Sequence, residues 1–283
     1  MIVLTTPTGH IGGRILHLLR DAGAPVRAIA RDPSRLPAGV DAVAGSHRDP
    51  AVLDAALRDG ADALFLLVPP NFAAASPTDE YVRFGRVAAE AVARHGVPRV
   101  VLVSSYGRGI ESAAGLLTAA TLLEAEVNRS GAATRALRPP YFMENLLHLV
   151  ELLRAGVLPM SCDPDHVLPT VATADVAARG AELLMDSTWT GQEGVAVVGP
   201  DMLTPREIAA ELGVRLQPIT TADERAALLA HGASQGMAEA LVEMVEAQNR
   251  GVYAADVLPQ RRGALSLRAW AGAVLTPALG AAA

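Results

Sequence analysis

A turn rich in small residues follows the first apolar run of the chain and reads Thr5-Thr6-Pro7-Thr8-Gly9-His10-Ile11-Gly12-Gly13. Gly9 lets a backbone approach a pyrophosphate, and Gly12 lets the following helix pack closely against the preceding strand. The free amide groups and the positive dipole at the start of that helix would bind the diphosphate. The turn therefore predicts a dinucleotide site, although Thr6 stands where a first glycine is usual and its β-branched side chain narrows the turn.

The end of the second predicted strand bears a positive charge, because Arg31 directly follows the strand predicted over residues 26–30. An acidic residue at this strand end would accept hydrogen bonds from the ribose hydroxyls of NAD, whereas a guanidinium can bind the 2′-phosphate of NADP. Ser34 and Arg35 offer further donors. The alternative is a solvated arginine beside a turn. We predict NADP(H) as the cofactor.

Other polar and proline residues cluster where predicted strands end. These ends read Ser46-His47, Val68-Pro69-Pro70-Asn71, Ser104-Ser105-Tyr106 and Arg138-Pro139-Pro140-Tyr141. In an open parallel sheet the ligand lies across the carboxyl ends of the strands. We expect four of these residues to line the cofactor: Val68, Pro69, Ser104 and Ser105. Tyr106 is the best placed hydroxyl acid, and the competing interpretation is a loop tyrosine without a role in proton transfer.

The composition excludes several chemistries. All 24 basic residues are Arg, so Schiff-base chemistry, a Lys-containing phosphate loop and a Tyr-Lys acid pair are ruled out. Cys162 is the single cysteine, which excludes an internal disulfide and a multi-cysteine metal site. The net charge of −6 comes without a long run of like charges, so no nucleic-acid partner is expected.

Two further groups of polar residues indicate a functional site less strongly. Glu144 and His148 are four residues apart on a predicted helix, but no third ligand accompanies them, so a pocket lining is favoured over a metal site. The segment from Cys162 to His166 contains a proline and two aspartates, which indicates a turn. No nucleophile turn accompanies a Ser/His/Asp set, so hydrolase chemistry has no support.

The elements that must position these residues alternate in type. Up to residue 140, short apolar runs alternate with amphipathic helical segments and short connections, which predicts an α/β fold with a parallel sheet covered on both faces. We expect residues 1–140 to form the cofactor-binding core. Residues 141–283 are expected to form a discontinuous, mostly helical substrate lobe, which returns to the core through about 166–186 and ends in a tail with weak signals. We expect a cytoplasmic protein, with no signal peptide and no membrane partner.

The chain resembles the NmrA-like branch of the atypical short-chain dehydrogenase/reductases over most of its length. The resemblance rests on these stretches: Pro7-Thr8-Gly9-His10-Ile11-Gly12, Arg31-Asp32-Pro33, Val101-Leu102-Val103-Ser104-Ser105, Glu124…Ser130-Gly131…Thr134…Leu137-Arg138-Pro139…Phe142-Met143-Glu144-Asn145 and Val171…Asp175-Val176-Ala177. It implies a Rossmann-type doubly wound sheet that binds NADP(H). The positions that match cofactor contacts of the family are Thr8, Gly9, His10, Ile11, Gly12, Arg31 and Ser104.

Many relatives in this family carry a lysine on the helix before Glu124, and by spacing Ala120 stands in its place here. Hydride transfer stays possible without that lysine, but the usual proton donor is missing. Tyr106, Tyr141 and His148 are the catalytic candidates.

Three functions remain open at this point. The first is an NADPH-dependent reductase that transfers a hydride to a small organic substrate such as a quinone, an iminium ion or an enone, with a role in biosynthesis suggested. The second is a non-catalytic NADP(H)-sensing regulator with a protein partner. The third is a non-redox isomerase or cyclase that uses the cleft, with Glu144, His148 and Tyr141 as acid/base candidates. A homodimer is left open.

Overall fold

The computed structural model describes residues 1–107, 109–253 and 262–280. The strands are β1 (Ile2–Thr5), β2 (Val26–Ala30), β3 (Asp41–Ala44), β4 (Ala63–Leu66), β5 (Arg99–Val103), β6 (Ala133–Arg138), β7 (Tyr141–Phe142), β8 (Val157–Met160), β9 (Thr170–Val171), β10 (Gln192–Ala196) and β11 (Arg215–Pro218).

The α-helices are α1 (His10–Asp21), α2 (Pro50–Leu57), α3 (Pro77–His95), α4 (Leu116–Asn128), α5 (Val150–Arg154), α6 (Thr173–Met185), α7 (Pro205–Glu211), α8 (Thr221–Ala230), α9 (Gln235–Asn249), α10 (Leu267–Trp270) and α11 (Thr276–Gly280). Two 3₁₀ helices span Pro33–Arg35 and Met143–Leu149, and a π-helical turn, Ala271–Leu275, joins α10 to α11.

A seven-stranded parallel sheet in the order β10-β6-β5-β4-β1-β2-β3 forms the centre of the molecule. Helices α1 and α6 pack together over an apolar cluster on one side of the sheet. Residues of α2, α3 and α4 form a second apolar cluster with the sheet. Both faces are therefore buried, and the predicted doubly wound α/β fold is confirmed.

One edge strand of the sheet comes from the part of the chain after residue 140, where no alternation of strands and helices was predicted. Strand β10, Gln192–Ala196, pairs with β6, so the chain returns to the sheet well after residue 140. The predicted helix that carries Glu144 and His148 is divided into a 3₁₀ helix and the short α5. The division of the chain into a core and a lobe at residue 140 stays a prediction.

Outside the seven-stranded sheet, two short parallel pairs form, β8 with β11 and β7 with β9. An apolar cluster that contains Leu158 and Met160 of β8 also includes Trp270 of α10, which is 1% exposed. The weak signals after Tyr253 did not predict this helix. Residues 254–261 and 281–283 of the predicted tail lie outside the described residues. Within the described part of the chain, no helix is both long and apolar enough to cross a membrane.

Helix α9 joins the lobe to the core through very close backbone contacts. A Cβ atom on Gly236 would lie 2.0 Å from the carbonyl oxygen of Ala75, in the loop after β4. The backbone N–H of Ser234 donates to the carbonyl of Phe72 in the same loop at 2.8 Å. At the other side of α9, a Cβ on Gly115 would lie 1.8 Å from the carbonyl of Ala240. Only glycine permits these approaches.

A buried histidine lies at the carboxyl edge of the sheet, shortly after β3. His47 is 6% exposed, and its ring lies 4.7 Å from the ring of Phe84. Burial and the positive charge of Arg31 lower the pKa of His47 from 6.5 to about 4, although a hydrogen bond with the backbone of Leu67 opposes part of this shift. The imidazole is therefore neutral at physiological pH.

Replacing Gly236 with Ala should destabilise the fold, because the new methyl group meets the Ala75 carbonyl and the helix must shift away. We expect a loss of about 1–3 kcal/mol in the free energy of unfolding, measured by urea denaturation. Gly272→Ala is the control, since a Cβ at this helical position meets nothing within 4 Å. Equal stability of the two variants would contradict the close contact.

The buried His47 should make the protein sensitive to acid. The folded protein resists protonation of this ring down to about pH 4, whereas the unfolded chain binds the proton near pH 6.5. The free energy of unfolding should therefore fall by about 3 kcal/mol as pH drops through this window. His47→Leu should remove this part of the pH dependence in denaturant titrations, and His17→Gln, on an exposed face of α1, should retain it.

Candidate functional site

The turn between β1 and α1 adopts a strained conformation. Thr6 has a φ of +50°, in the left-handed region that a β-branched residue adopts only at a cost. Its carbonyl accepts a hydrogen bond from the Gly9 N–H at 3.1 Å, which closes the turn. Gly9 is the N-cap of α1, no side chain caps this helix start, and no acidic residue lies in its first turn. The helix therefore presents amide donors and its positive dipole end.

The fit of a diphosphate to this turn can be tested on two features. A Cβ atom on Gly12 would lie 2.2 Å from the Thr6 carbonyl oxygen, so the helix can begin this close to the strand only with glycine there. The Thr6 hydroxyl is buried and has no hydrogen-bond partner among the described residues. A tightly closed turn with an unpartnered hydroxyl beside free helical amides fits an anionic ligand. The predicted residues Thr8, His10 and Ile11 lie in this same turn.

The charged residues after β2 are divided between two roles. The Asp32 carboxylate accepts hydrogen bonds from the Ser34 N–H at 3.1 Å and the Ser34 hydroxyl at 2.6 Å, and these contacts lower its pKa. Asp32 thereby caps the 3₁₀ helix that begins at Pro33. Arg31 and Arg35 are exposed, and neither forms an ion pair within the described ranges. Arg31 and Arg35 thus lack an ion-pair partner among the described residues, while one oxygen of the nearby Asp32 carboxylate already accepts hydrogen bonds.

The residues predicted to line the cofactor beside the turn follow β4 and β5. Val68 and Ser105 are buried, whereas Pro69 is exposed. The Ser104 hydroxyl donates to the backbone carbonyl of Ala120 at 3.3 Å. Ala120, which the spacing predicts to stand where the family carries a lysine, is a small buried residue of α4.

Two of the catalytic candidates lie in buried surroundings. The ring of Tyr106 stacks on that of Tyr253 at 5.7 Å, and the Tyr253 hydroxyl accepts a hydrogen bond from Gln248 Nε2 at 3.3 Å. Tyr141 follows β6 after two prolines and is hydrogen-bonded to Asn145. Burial raises the pKa of both Tyr141 and Tyr253. These phenols therefore keep their protons and are suited to donating hydrogen bonds.

The thiol near these phenols is inert. Cys162 Sγ lies 3.2 Å from Gln248 Oε1, so one glutamine side chain connects the thiol to Tyr253. Burial and the negative charge of Glu224 raise the pKa of Cys162 to about 12. The residue is a protonated packing and hydrogen-bonding group rather than a nucleophile. Among the described residues, no group of three His, Cys, Asp or Glu side chains could hold a metal ion.

Glu144 connects three elements of the fold. Its carboxylate accepts hydrogen bonds from the Thr173 hydroxyl at 2.7 Å, the Thr173 N–H at 3.0 Å and the Trp270 Nε1 at 3.1 Å. These contacts join the 3₁₀ helix after β7 to the start of α6 and to the C-terminal helix. His148 is exposed on the same 3₁₀ helix, and no contact in the described structure brings it to Tyr106 or Tyr141. Glu144 therefore has a positioning role in the fold.

One pair of polar residues was not predicted from the sequence. The Ser161 hydroxyl, directly after β8, donates a hydrogen bond to the carboxylate of Glu224 on α8. Burial raises the pKa of Glu224, and the Ser161 contact opposes part of this rise. The two residues are 63 positions apart, so no local spacing could have indicated the pair.

Comparison with known proteins agrees with a dinucleotide site at the turn after β1. A family model described as NAD(P)H-binding matches residues 7–186. The (4-alkanoyl-5-oxo-2,5-dihydrofuran-3-yl)methyl phosphate reductase of Streptomyces griseus is 35% identical over 269 residues, which cover 91% of this chain and 90% of that protein. The NAD(P)H azoreductase of Xenophilus azovorans is 29% identical over 257 residues, or 86% of each chain.

Solved structures share the fold. The NADPH-dependent quinone oxidoreductase QOR2 from Escherichia coli, complexed with NADPH, has a TM-score of 0.78 at 22% identity, covering 97% of this chain and 100% of that one. The triphenylmethane reductase of Citrobacter sp., complexed with NADP(H), has a TM-score of 0.75 at 20% identity, covering 89% and 91% of the two chains.

The residues that the family model matches include residues 7–13 of the turn after β1 and Arg31 after β2, and the predicted family resemblance is confirmed. The chain therefore belongs to the family of NAD(P)H-binding proteins and, within it, to the NAD(P)H-dependent reductases.

Proposed function

We propose that this protein is an NADPH-dependent reductase of an electron-poor carbon–carbon double bond conjugated to a carbonyl group. The observation that supports this substrate class is the 35% identity, over nine-tenths of both chains, with a reductase named for an alkanoyl-oxo-dihydrofuran phosphate. The systematic name of that compound describes a ring alkene next to two carbonyl groups. It belongs to the enones, one of the three substrate classes that the sequence indicated.

The preference for NADP over NAD rests on the two residues after β2. Asp32 could accept hydrogen bonds from the ribose hydroxyls of NAD, but Oδ1 of its carboxylate already accepts from the Ser34 N–H and hydroxyl, which leaves Oδ2 for a ligand. Arg31 has no ion-pair partner in the described structure and can pair with a 2′-phosphate. Arg35 adds a second positive charge close by in the chain. The Ser34 hydroxyl donates to Asp32 in this structure, so it would have to turn away from Asp32 to donate a hydrogen bond to the 2′-phosphate.

Bound NADPH would supply the hydride for such a reduction. The turn after β1 would hold its diphosphate, and Val68, Pro69, Ser104 and Ser105 would line the wall beside it. Tyr106 and Tyr141 would then face the substrate. Because burial keeps the Tyr141 phenol protonated, this side chain is suited to donating a hydrogen bond to the substrate carbonyl, which withdraws electrons from the double bond. His148 and a homodimer remain predictions without a supporting contact.

Removing the Arg31 guanidinium should weaken the binding of NADPH more than the binding of NADH. In Arg31→Ala we expect the Kd for NADPH to rise about tenfold or more, and the Kd for NADH to change little, because only NADPH has the 2′-phosphate. Calorimetric titration measures both values at low salt, where screening is small. Arg58→Ala, at the far end of α2, is the matched control. An equal rise of both Kd values would show that Arg31 does not bind the 2′-phosphate.

The substrate class is tested by oxidation of NADPH in the presence of an enone, a quinone, an azo compound and an iminium ion. We expect the enone, and above all an acyl-substituted butenolide, to give the highest kcat/KM. Tyr141→Phe should lower kcat/KM for the enone by about tenfold or more without changing the Kd for NADPH, since it removes a hydrogen bond to the carbonyl alone. Turnover of the quinone or azo compound without turnover of any enone would overturn the proposed class.

A further inference from the structure

Two loops lie beside the crevice in which the dinucleotide is expected, and one carboxylate contacts both of them. Strands β2 and β3 lie on one side of β1, and β4, β5 and β6 lie on the other side. The carboxyl ends of β1 and β4 therefore form the point where the strand order reverses, which is where ligands bind in open parallel sheets. The loop between β3 and α2 and the loop between β4 and α3 both begin at this edge.

The loop after β4 begins in contact with the phosphate-binding turn. The residue-by-residue pairing of β1 with β4 ends at Leu4 and Phe65. Just beyond it, the Thr5 hydroxyl accepts a hydrogen bond from the Leu67 N–H at 3.0 Å. Because Thr5 directly precedes the strained Thr6, this hydrogen bond places the start of the loop after β4 beside the turn that would hold the diphosphate.

Glu80, in the first turn of α3, holds the loop after β4 in place. The Asn71 Nδ2 donates to both oxygens of the Glu80 carboxylate, at 3.2 and 3.1 Å. The Asn71 Oδ1 accepts from the Ala73 N–H at 3.1 Å, so the same asparagine also closes a turn within its own loop. The Glu80 side chain is only 13% exposed. A hydrogen bond to a charged acceptor that is shielded from water restrains its donor strongly.

The same carboxylate reaches the loop after β3. Arg48 Nη1 lies 3.6 Å from Glu80 Oε1, and the Arg48 N–H donates to the Ser46 hydroxyl at 3.2 Å. One turn further along α3, the ring of Phe84 lies 4.7 Å from the ring of the buried His47. Residues four apart share one face of a helix, so the loop after β3 rests on the face of α3 that carries Glu80. The first two turns of α3 therefore support both loops.

We propose that Glu80 is a positioning residue for the cofactor: through Asn71 and Arg48 it holds the loops after β4 and β3 at the separation that a bound dinucleotide requires. This inference rests on the proposed function, because it concerns the same cofactor. Glu80 acts through its two partners and not through the 2′-phosphate. Its removal therefore weakens NADPH and NADH alike, whereas the removal of Arg31 weakens NADPH selectively.

The first test measures the binding of NADPH and of NADH to Glu80→Ala by calorimetric titration. We expect both Kd values to rise about tenfold, because binding must then order the two loops as well. Glu90→Ala, which removes an exposed carboxyl from the same helix, should bind both dinucleotides as the wild type does. Unchanged or tighter binding of both dinucleotides by a Glu80→Ala protein with an intact circular dichroism spectrum overturns the assignment of Glu80.

A double-mutant cycle distinguishes the contact with Asn71 from a general loss of stability. Asn71→Ala alone should raise both Kd values, because it removes the donor that Glu80 holds. The double variant Asn71→Ala/Glu80→Ala should bind no more weakly than Glu80→Ala, since both substitutions break the same contact. If the two effects on the Kd values simply add, the two residues do not act as a pair and the proposal fails.

Hydrogen exchange in the protein without cofactor gives a readout that does not depend on activity. In Glu80→Ala the amides of the loops after β3 and β4 should exchange faster, and those of α6 should keep their wild-type rates. Wild-type exchange rates in both loops of the variant contradict the positioning role. A wild-type protein that binds neither dinucleotide overturns the proposed function as well, whereas wild-type binding that Glu80→Ala leaves unchanged overturns this inference alone.

Discussion

The contact between Gly12 and the carbonyl of Thr6 is the constraint on which the cofactor site depends. The helix begins so close to the strand that a Cβ at this position would lie 2.2 Å from the carbonyl oxygen. This closeness sets the direction of α1 and places its first amide groups at the carboxyl edge of the sheet. The strain of Thr6, with a φ of +50°, is the cost of closing the turn without its usual glycine.

The rest of the molecule is arranged around this edge. The parallel strands bring Arg31, His47, Val68, Ser105 and Tyr141 to one side, although these residues lie far apart in the chain. Helix α9 closes against the loop after β4 through Gly236 and fixes Ser161 through Asn249. The same helix therefore contacts the loop after β4 and the segment after β8. Glu144 joins α10 to the 3₁₀ helix after β7, because its carboxylate accepts a hydrogen bond from Trp270 Nε1.

Features that depend on neighbours in the chain could be predicted from the sequence. The glycine turn, the alternation of strands and helices and the arginine after β2 are local patterns, and the structure contains each of them. Contacts across long separations could not be predicted. Glu144 accepts hydrogen bonds from Thr173 and Trp270, which are 29 and 126 residues away, and neither contact follows from its spacing to His148. The Asp32 contact with Ser34 is local, but the sequence alone does not show that Asp32 Oδ1 accepts a hydrogen bond from the Ser34 hydroxyl.

In this account the turn after β1 and the arginine after β2 hold a phosphorylated dinucleotide. Calorimetric titration of the folded protein with NADPH tests this binding most directly. We predict saturable binding of one NADPH per chain, weakened by added salt because charge on the 2′-phosphate and diphosphate contributes to it. The absence of binding heat with both NADPH and NADP⁺ at several temperatures, in a protein whose circular dichroism shows an intact fold, would contradict the account.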